Sequence, residues 1–217
     1  MTDFATRRHT MVDTQIRPSD VTKFPIIDAM LNVERENFVP DWKREAAYVG
    51  DLVDLGDGRS LLEPRTLAKM LDALNIANEE IVLDIAPALG YSTAVAARMA
   101  QLVVGVEADE ELASEAQNAL MEADADNAII HTGPLDGGAP EHGPYDVILI
   151  QGGVEQVPEA ILNQLKDHGR IACLFMEGDL GTVRIGQKSA GRVTWRFAFN
   201  ASAPVLPAFS KDCVFSL

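Results

Sequence analysis

The chain has 217 residues, 47% of them hydrophobic and 24% charged, which excludes bulk disorder and fits one large domain with at most an appendage. Its 33 acidic against 18 basic residues leave a net charge of −15, a field that repels phosphate backbones and speaks against nucleic acid as a partner. Two cysteines cannot build a disulfide framework, and there is neither a signal-like apolar stretch after the first residues nor an apolar run of about 18 residues, so the expectation is a cytoplasmic protein without a membrane partner.

Residues 1–60 read as a helical leader or lid: short apolar stretches such as FPIIDAML are broken by Pro18, Pro25 and Pro40, and the segment ends in the turn-rich LGDGRS. Such a segment is too short to build its own core. Its apolar residues Phe24, Ile26, Ile27, Met30 and Leu31 are therefore expected to dock on the remainder, residues 61–217. From Pro64, the run PRTLAKMLDAL places Leu67, Met70, Leu71 and Leu74 on one face of a helix.

The middle of the chain alternates. IVLDIA (81–86) reads as a buried strand, STAVAARMA (92–100) as a closely packed helix and LVVGVE (102–107) as a second strand. Asp109 is placed to cap the helix DEELASEAQNALMEAD, with Glu110 and Glu111 in its first turn. NAIIH, YDVILIQ and GRIACLFM continue as strands, and PEAILNQLK lies between the last two as a helix. This alternation predicts an α/β fold, a Rossmann-like doubly wound parallel sheet. Beyond residue 180 the segments VRIGQKS, VTWRFAFN and CVFSL predict an antiparallel edge. Cys173 and Cys213 sit in apolar strand-like runs as small core residues.

In open α/β sheets ligands bind beyond the carboxyl ends of the strands, near the first βα turn. Here that turn is DIAPALGYS, and the next strand ends at Glu107, 21 residues after Ala86. An acidic residue at that spacing accepts the hydroxyls of a ribose, while a solvated glutamate starting a helix gives the same pattern.

The series MVDTQIR, IIDAMLNVERENFVP, Tyr48, LLEP, VLDIAPALGYSTAVAARMA, GVEADEELA, GAPEHGPYDVILIQGG and LNQLKDHGRIACL resembles the protein-L-isoaspartate O-methyltransferase family in order and spacing over nearly the whole chain, weakening after about residue 180. The resemblance implies a class I methyltransferase sheet and S-adenosyl-L-methionine as cofactor. It also implies a protein or peptide substrate bearing an isoaspartyl or aspartyl carboxylate, methylated in protein repair. It places Asp84, Ala86, Ala88, Gly90, Tyr91, Glu107 and Gly133 around the cofactor, and Met11, Val12 and Gln15 at the mouth of the pocket.

The chain departs from the family pattern at the chemistry. Ala86, Pro87, Ala88 and Leu89 replace a glycine-rich loop of which Gly90 alone remains. Leu62 stands at the position of the family serine that holds the substrate carboxylate, so the catalytic hydroxyl is absent there. Gly133, Pro134 and Leu135 replace a Gly-Asp-Gly, which removes an acidic contact. These changes raise an alternative, a noncatalytic or re-purposed protein of the same fold with an altered acceptor. An NAD-type oxidoreductase is disfavoured, because no Gly-x-Gly-x-x-Gly is present. His9, His131, His142 and His168 show no ligand spacing, so no metal is expected. Gly152 and Gly153 either line the acceptor side or form a tight turn; Trp195 and Phe197 read as sheet packing, and Glu63 beside Arg65 as a solvated helix start or a contact for a polar substrate.

Overall fold

The computed structural model describes residues 3–56 and 58–211. Cys213 and the CVFSL segment lie outside the described residues. The leader opens with α1 (Phe4–Met11), capped by the Asp3 carboxylate, which accepts the Thr6 N–H. A π-helical turn (Val12–Ile16) and a 3-10 turn (Arg17–Ser19) continue it. Pro25 starts α2 (Phe24–Asn32) instead of breaking it, since proline in a first turn removes an N–H that has no helical acceptor. Two 3-10 turns (Arg35–Phe38 and Asp41–Ala46) lead to β1 (Val53–Gly56) and β2 (Arg59–Leu61), which pair antiparallel. Sequence patterning did not single out this hairpin; its strands have four and three residues.

The amphipathic helix α3 (Pro64–Leu74) ends at Asn75, which adopts the left-handed conformation that closes helices. It is followed by β3 (Ile81–Ile85), α4 (Tyr91–Ala97), β4 (Leu102–Glu107), α5 (Glu110–Glu122), β5 (Ala128–Thr132), β6 (Tyr145–Val154), α6 (Glu159–Gln164), β7 (Leu165–Glu177), β8 (Leu180–Ser189) and β9 (Arg192–Asn200). The seven-stranded sheet runs β5-β4-β3-β6-β7-β8-β9. Its first five strands are parallel, and β8 and β9 add antiparallel. This is the expected α/β doubly wound parallel sheet with an antiparallel edge. The final hairpin turns through Ala190 and Gly191, both at positive φ, the conformation that matches strand twist.

The core lies on both faces of the sheet, and the leader contributes to one of them. Met11, Val12, Ile16, Ile26, Ile27 and Met30 are buried with Leu67, Met70 and Leu71 of α3 and Ala94 and Val95 of α4. Phe24 is the exception to the expected docking: it stays 77% exposed. No helix among the described residues is long and apolar enough to cross a membrane.

Candidate functional site

The chain order reverses at β3, whose neighbours β4 and β6 lie on opposite sides, so a crevice opens beyond the carboxyl ends of these strands. A cavity of about 380 Å³ sits there. Its walls are Gly58 and Arg59 of the hairpin, Glu107 to Asp109 after β4, Pro134 to Asp136 after β5, and Pro207 and Ala208. Glu107 is the sequence-predicted cofactor residue that lines it.

The Glu107 carboxylate is fully buried and fully engaged. Oε2 accepts the Ala88 N–H at 3.1 Å, and Oε1 accepts the Ala108 N–H at 2.8 Å and the Arg59 guanidinium through Nη2. Arg59 is itself nearly buried, so the pair is screened little by water.

The Ala88 N–H reaches Glu107 because the βα turn folds as a glycine-rich loop would, without the glycines. Ala86 and Ala88 adopt φ of 65° and 52°, and Gly90 adopts 93°. A left-handed non-glycine residue costs about 1–2 kcal/mol, so the surrounding packing holds this turn against a local penalty. Pro87 donates nothing, but its carbonyl accepts the Gly90 N–H at 2.9 Å and closes the turn.

Asp84, at the end of β3, is sealed behind the turn. Its Oδ2 accepts hydroxyls from Ser92 at 2.6 Å and Thr93 at 2.8 Å, and its Oδ1 accepts the Gln151 amide at 2.9 Å. Burial pushes its pKa up to about 6, with the hydrogen bonds opposing and the Glu107 charge adding to the rise. Tyr91 is fully buried under the Arg35 guanidinium, 4.6 Å from ring centre to carbon, with the Phe38 ring in edge contact, centroids 5.9 Å apart. It serves the junction of leader and sheet and does not face the cavity.

The remaining predicted residues divide. Leu62 is buried in the core, outside the cavity wall, and its carbonyl accepts from Arg35 Nη2 at 2.7 Å. Gly133 precedes the lining residue Pro134 without itself forming the cavity wall, and donates its N–H to the Glu107 carbonyl at 3.0 Å. Acidic groups at the rim come from Asp109, which caps α5 as expected by accepting the Glu111 and Leu112 N–H groups, and from Asp136. Met11 and Val12 are core residues, and Met11 and Gln15 border a separate cavity with Tyr48. Gly152 and Gly153 do not form a turn. They lie within β6 and admit the returning chain: a Cβ on Gly152 would stand 2.7 Å from Leu206, and Gly153 bridges to Val205. Trp195 packs edge-on against Phe175, as sheet packing predicts, and Arg65 lies 3.9 Å from Glu63 at the start of α3.

Sequence reasoning missed Arg59 and Gln151, which reach their carboxylates across 48 and 67 residues, beyond any local signal. It also separated His131 from His142, which the fold brings together beside Glu141.

The family model described as Protein-L-isoaspartate(D-aspartate) O-methyltransferase matches residues 6–194. A protein-L-isoaspartate O-methyltransferase of Roseiflexus castenholzii is 33% identical over 169 residues, covering 78% of this chain and 77% of its own. One of Koribacter versatilis is 31% identical over 193 residues, covering 89% and 87%. Among solved structures, a protein-L-isoaspartate O-methyltransferase superimposes with a TM-score of 0.82 at 23% identity; 92% of this chain is covered, and this chain spans 65% of that one. A Plasmodium falciparum structure described as a putative member, in complex with S-adenosyl-L-homocysteine, gives 0.80 at 18% identity over 96% of this chain and 100% of its own. With matching extending from the leader through the cavity-forming strands to the edge hairpin, the chain belongs to the protein-L-isoaspartate(D-aspartate) O-methyltransferase family.

Proposed function

We propose that the chain is an S-adenosylmethionine-dependent methyltransferase acting on carboxylates of isoaspartyl or altered aspartyl residues in proteins and peptides. The observation that carries the reading is Glu107, a strand-end carboxylate lining a nucleoside-sized cavity at the switch point of the sheet. An adenosyl group fits this place. Pro134 and Leu135 supply apolar wall, and the buried turn of residues 86–90 steadies Glu107 through the Ala88 N–H. Arg59 sets one condition, because it already occupies the Glu107 oxygen that a ribose hydroxyl would use.

Glu107 would hold the ribose hydroxyls. The turn of residues 86–90 is buried behind it, outside the cavity wall, with its Ala88 N–H already bonded to Glu107, so the remainder of the cofactor would rest on the wall residues Pro134, Leu135 and Asp136. When bound, the cofactor supplies an electrophilic methyl group on a sulfonium. The acceptor carboxylate is ionised at neutral pH, so the chain has no need of a strong general base. Its residues contribute alignment and the exclusion of water. Leu62 contributes no hydrogen bond to that alignment and is sealed in the core, so acceptor orientation rests on other groups.

Calorimetric titration with S-adenosylhomocysteine, on the wild type and on Arg59→Gln, tests the reading. Both are expected to bind, the variant about tenfold more tightly, a difference of roughly 1.4 kcal/mol. Absence of binding by both folded proteins at millimolar ligand refutes the cofactor reading; equal affinities refute the competition by Arg59 alone. In a methyl-transfer assay with an isoaspartyl peptide, turnover is expected well below roughly 1 per second, because misplacing a reacting group costs about a hundredfold.

A further inference from the structure

Among the described residues, His131, Glu141 and His142 form a cluster of metal-ligating side chains outside the wall of the Glu107 cavity. His131 is the penultimate residue of β5, opposite Val106 of β4. Glu141 and His142 belong to a 3-10 turn (Pro140–His142) to which the chain returns after the cavity loop. The two imidazole rings meet edge-on with centroids 5.7 Å apart, and His131 Nδ1 lies 3.3 Å from Glu141 Oε1. One ligand atom from each of the three residues lies within 4.8 Å of the others.

Gly133 makes this arrangement possible. A Cβ at that position would stand 2.9 Å from His131 Nε2, so a side chain there would push the ring away. The glycine admits the imidazole at the place where the family pattern carries the first residue of its Gly-Asp-Gly.

Donor atoms around a tetrahedral zinc, each at about 2.0–2.1 Å, are about 3.3 Å apart. The 3.3 Å between His131 Nδ1 and Glu141 Oε1 already has that value, and Glu141 and His142 are exposed. Two imidazole nitrogens and a carboxylate oxygen form a borderline donor set, which suits Zn²⁺, Ni²⁺ or Cu²⁺ and not the oxygen-seeking Mg²⁺ and Ca²⁺. Three protein donors leave a coordination position for water. The net charge of −15 attracts any cation, so selectivity must come from these donors.

We propose that His131, Glu141 and His142 bind one divalent transition-metal ion, represented experimentally by Zn²⁺. The ion would tie the end of β5 to the 140–142 turn and so fix both ends of the loop that carries Pro134, Leu135 and Asp136 into the cavity wall. The site stands on its own donors and does not depend on the methyltransferase reading.

The test uses the full chain, free of any affinity tag and treated with EDTA. Calorimetric titration with ZnCl₂ is expected to show one saturable site, and Co²⁺ a visible absorption band of a low-symmetry complex. His131→Ala and His142→Ala should each weaken Zn²⁺ binding by at least about tenfold, with Glu141→Gln weakening it as well. His168→Ala, on a side chain remote in sequence and exposed, should leave it unchanged. Millimolar Mg²⁺ should not compete. The proposal is overturned if no saturable Zn²⁺ binding occurs, if the His131 and His142 variants bind like the wild type, or if Mg²⁺ displaces Zn²⁺ at equal concentration.

Discussion

Asp84 is a buried carboxyl group with three side-chain donors and, among the described residues, no ion-pair partner. Burial raises its pKa to about 6 from an ordinary 3.8, so the folded chain holds this proton more tightly than the unfolded one. The stabilisation is fully present below about pH 4 and is lost as pH rises through about 6. Asp84→Asn stays neutral throughout, and the Ser92 and Thr93 hydroxyls can turn to accept from its amide. The variant should therefore gain stability relative to the wild type between pH 4.5 and 7.5, as read from urea unfolding at both pH values. Parallel behaviour of the two proteins would contradict the burial argument. Single residues were legible in the sequence where position alone defines them. Glu107 was found from strand end and spacing, whereas Arg59 was not, because its pairing exists only once the hairpin has folded.

At the scale of elements, the turn from β3 to α4 separates backbone from composition. The sequence reads as a glycine loop lost, yet Ala86 and Ala88 keep the positive φ that glycine favours. Ala88→Gly therefore relieves about 1–2 kcal/mol of left-handed strain, offsetting the lost methyl burial and the greater freedom of the unfolded chain. It should change stability by less than about 0.5 kcal/mol. Ala94→Gly, equally buried but in ordinary helix, has no such compensation and should cost about 1–2 kcal/mol. Denaturant midpoints of the two variants make the comparison, and equal losses would show the turn to be unstrained. The parallel strands and their helices were readable because each carries a long apolar run or a helical stripe. The β1–β2 hairpin was not, being three to four residues a strand, and β6 runs three residues past its apolar reading because Gly153 and Val154 resume pairing with Leu174 and Phe175 of β7 after a register shift.

The leader raises the question of which part of the whole molecule can move. Its helices share the main core with α3 and α4, and Arg35, fully buried, donates to the Ala47 and Leu62 carbonyls and covers Tyr91. Arg8 adds a polar tie by bonding the Tyr48 hydroxyl, which donates to Glu36. Withdrawing these helices would expose apolar residues and strand a buried cation, so opening on that scale is costly. The hairpin is smaller: a two-stranded sheet is marginal alone, and it buries Val53 and Leu61. The ion pair its opening would break, Arg59 to Glu107, is one that a ligand on Glu107 would replace, while Gly58 and Arg59 form part of the cavity wall. We propose that the lid within residues 1–60 is this hairpin, with the helices as scaffold. Hydrogen exchange with and without saturating S-adenosylhomocysteine distinguishes the parts, since local opening is read segment by segment. Amides of β1 and β2 should exchange more slowly in the complex as the hairpin gains contacts with the filled cavity, while those of α2 remain unchanged. Equal protection of both would make the entire leader the lid, and no change in the hairpin with ligand bound would make it static wall.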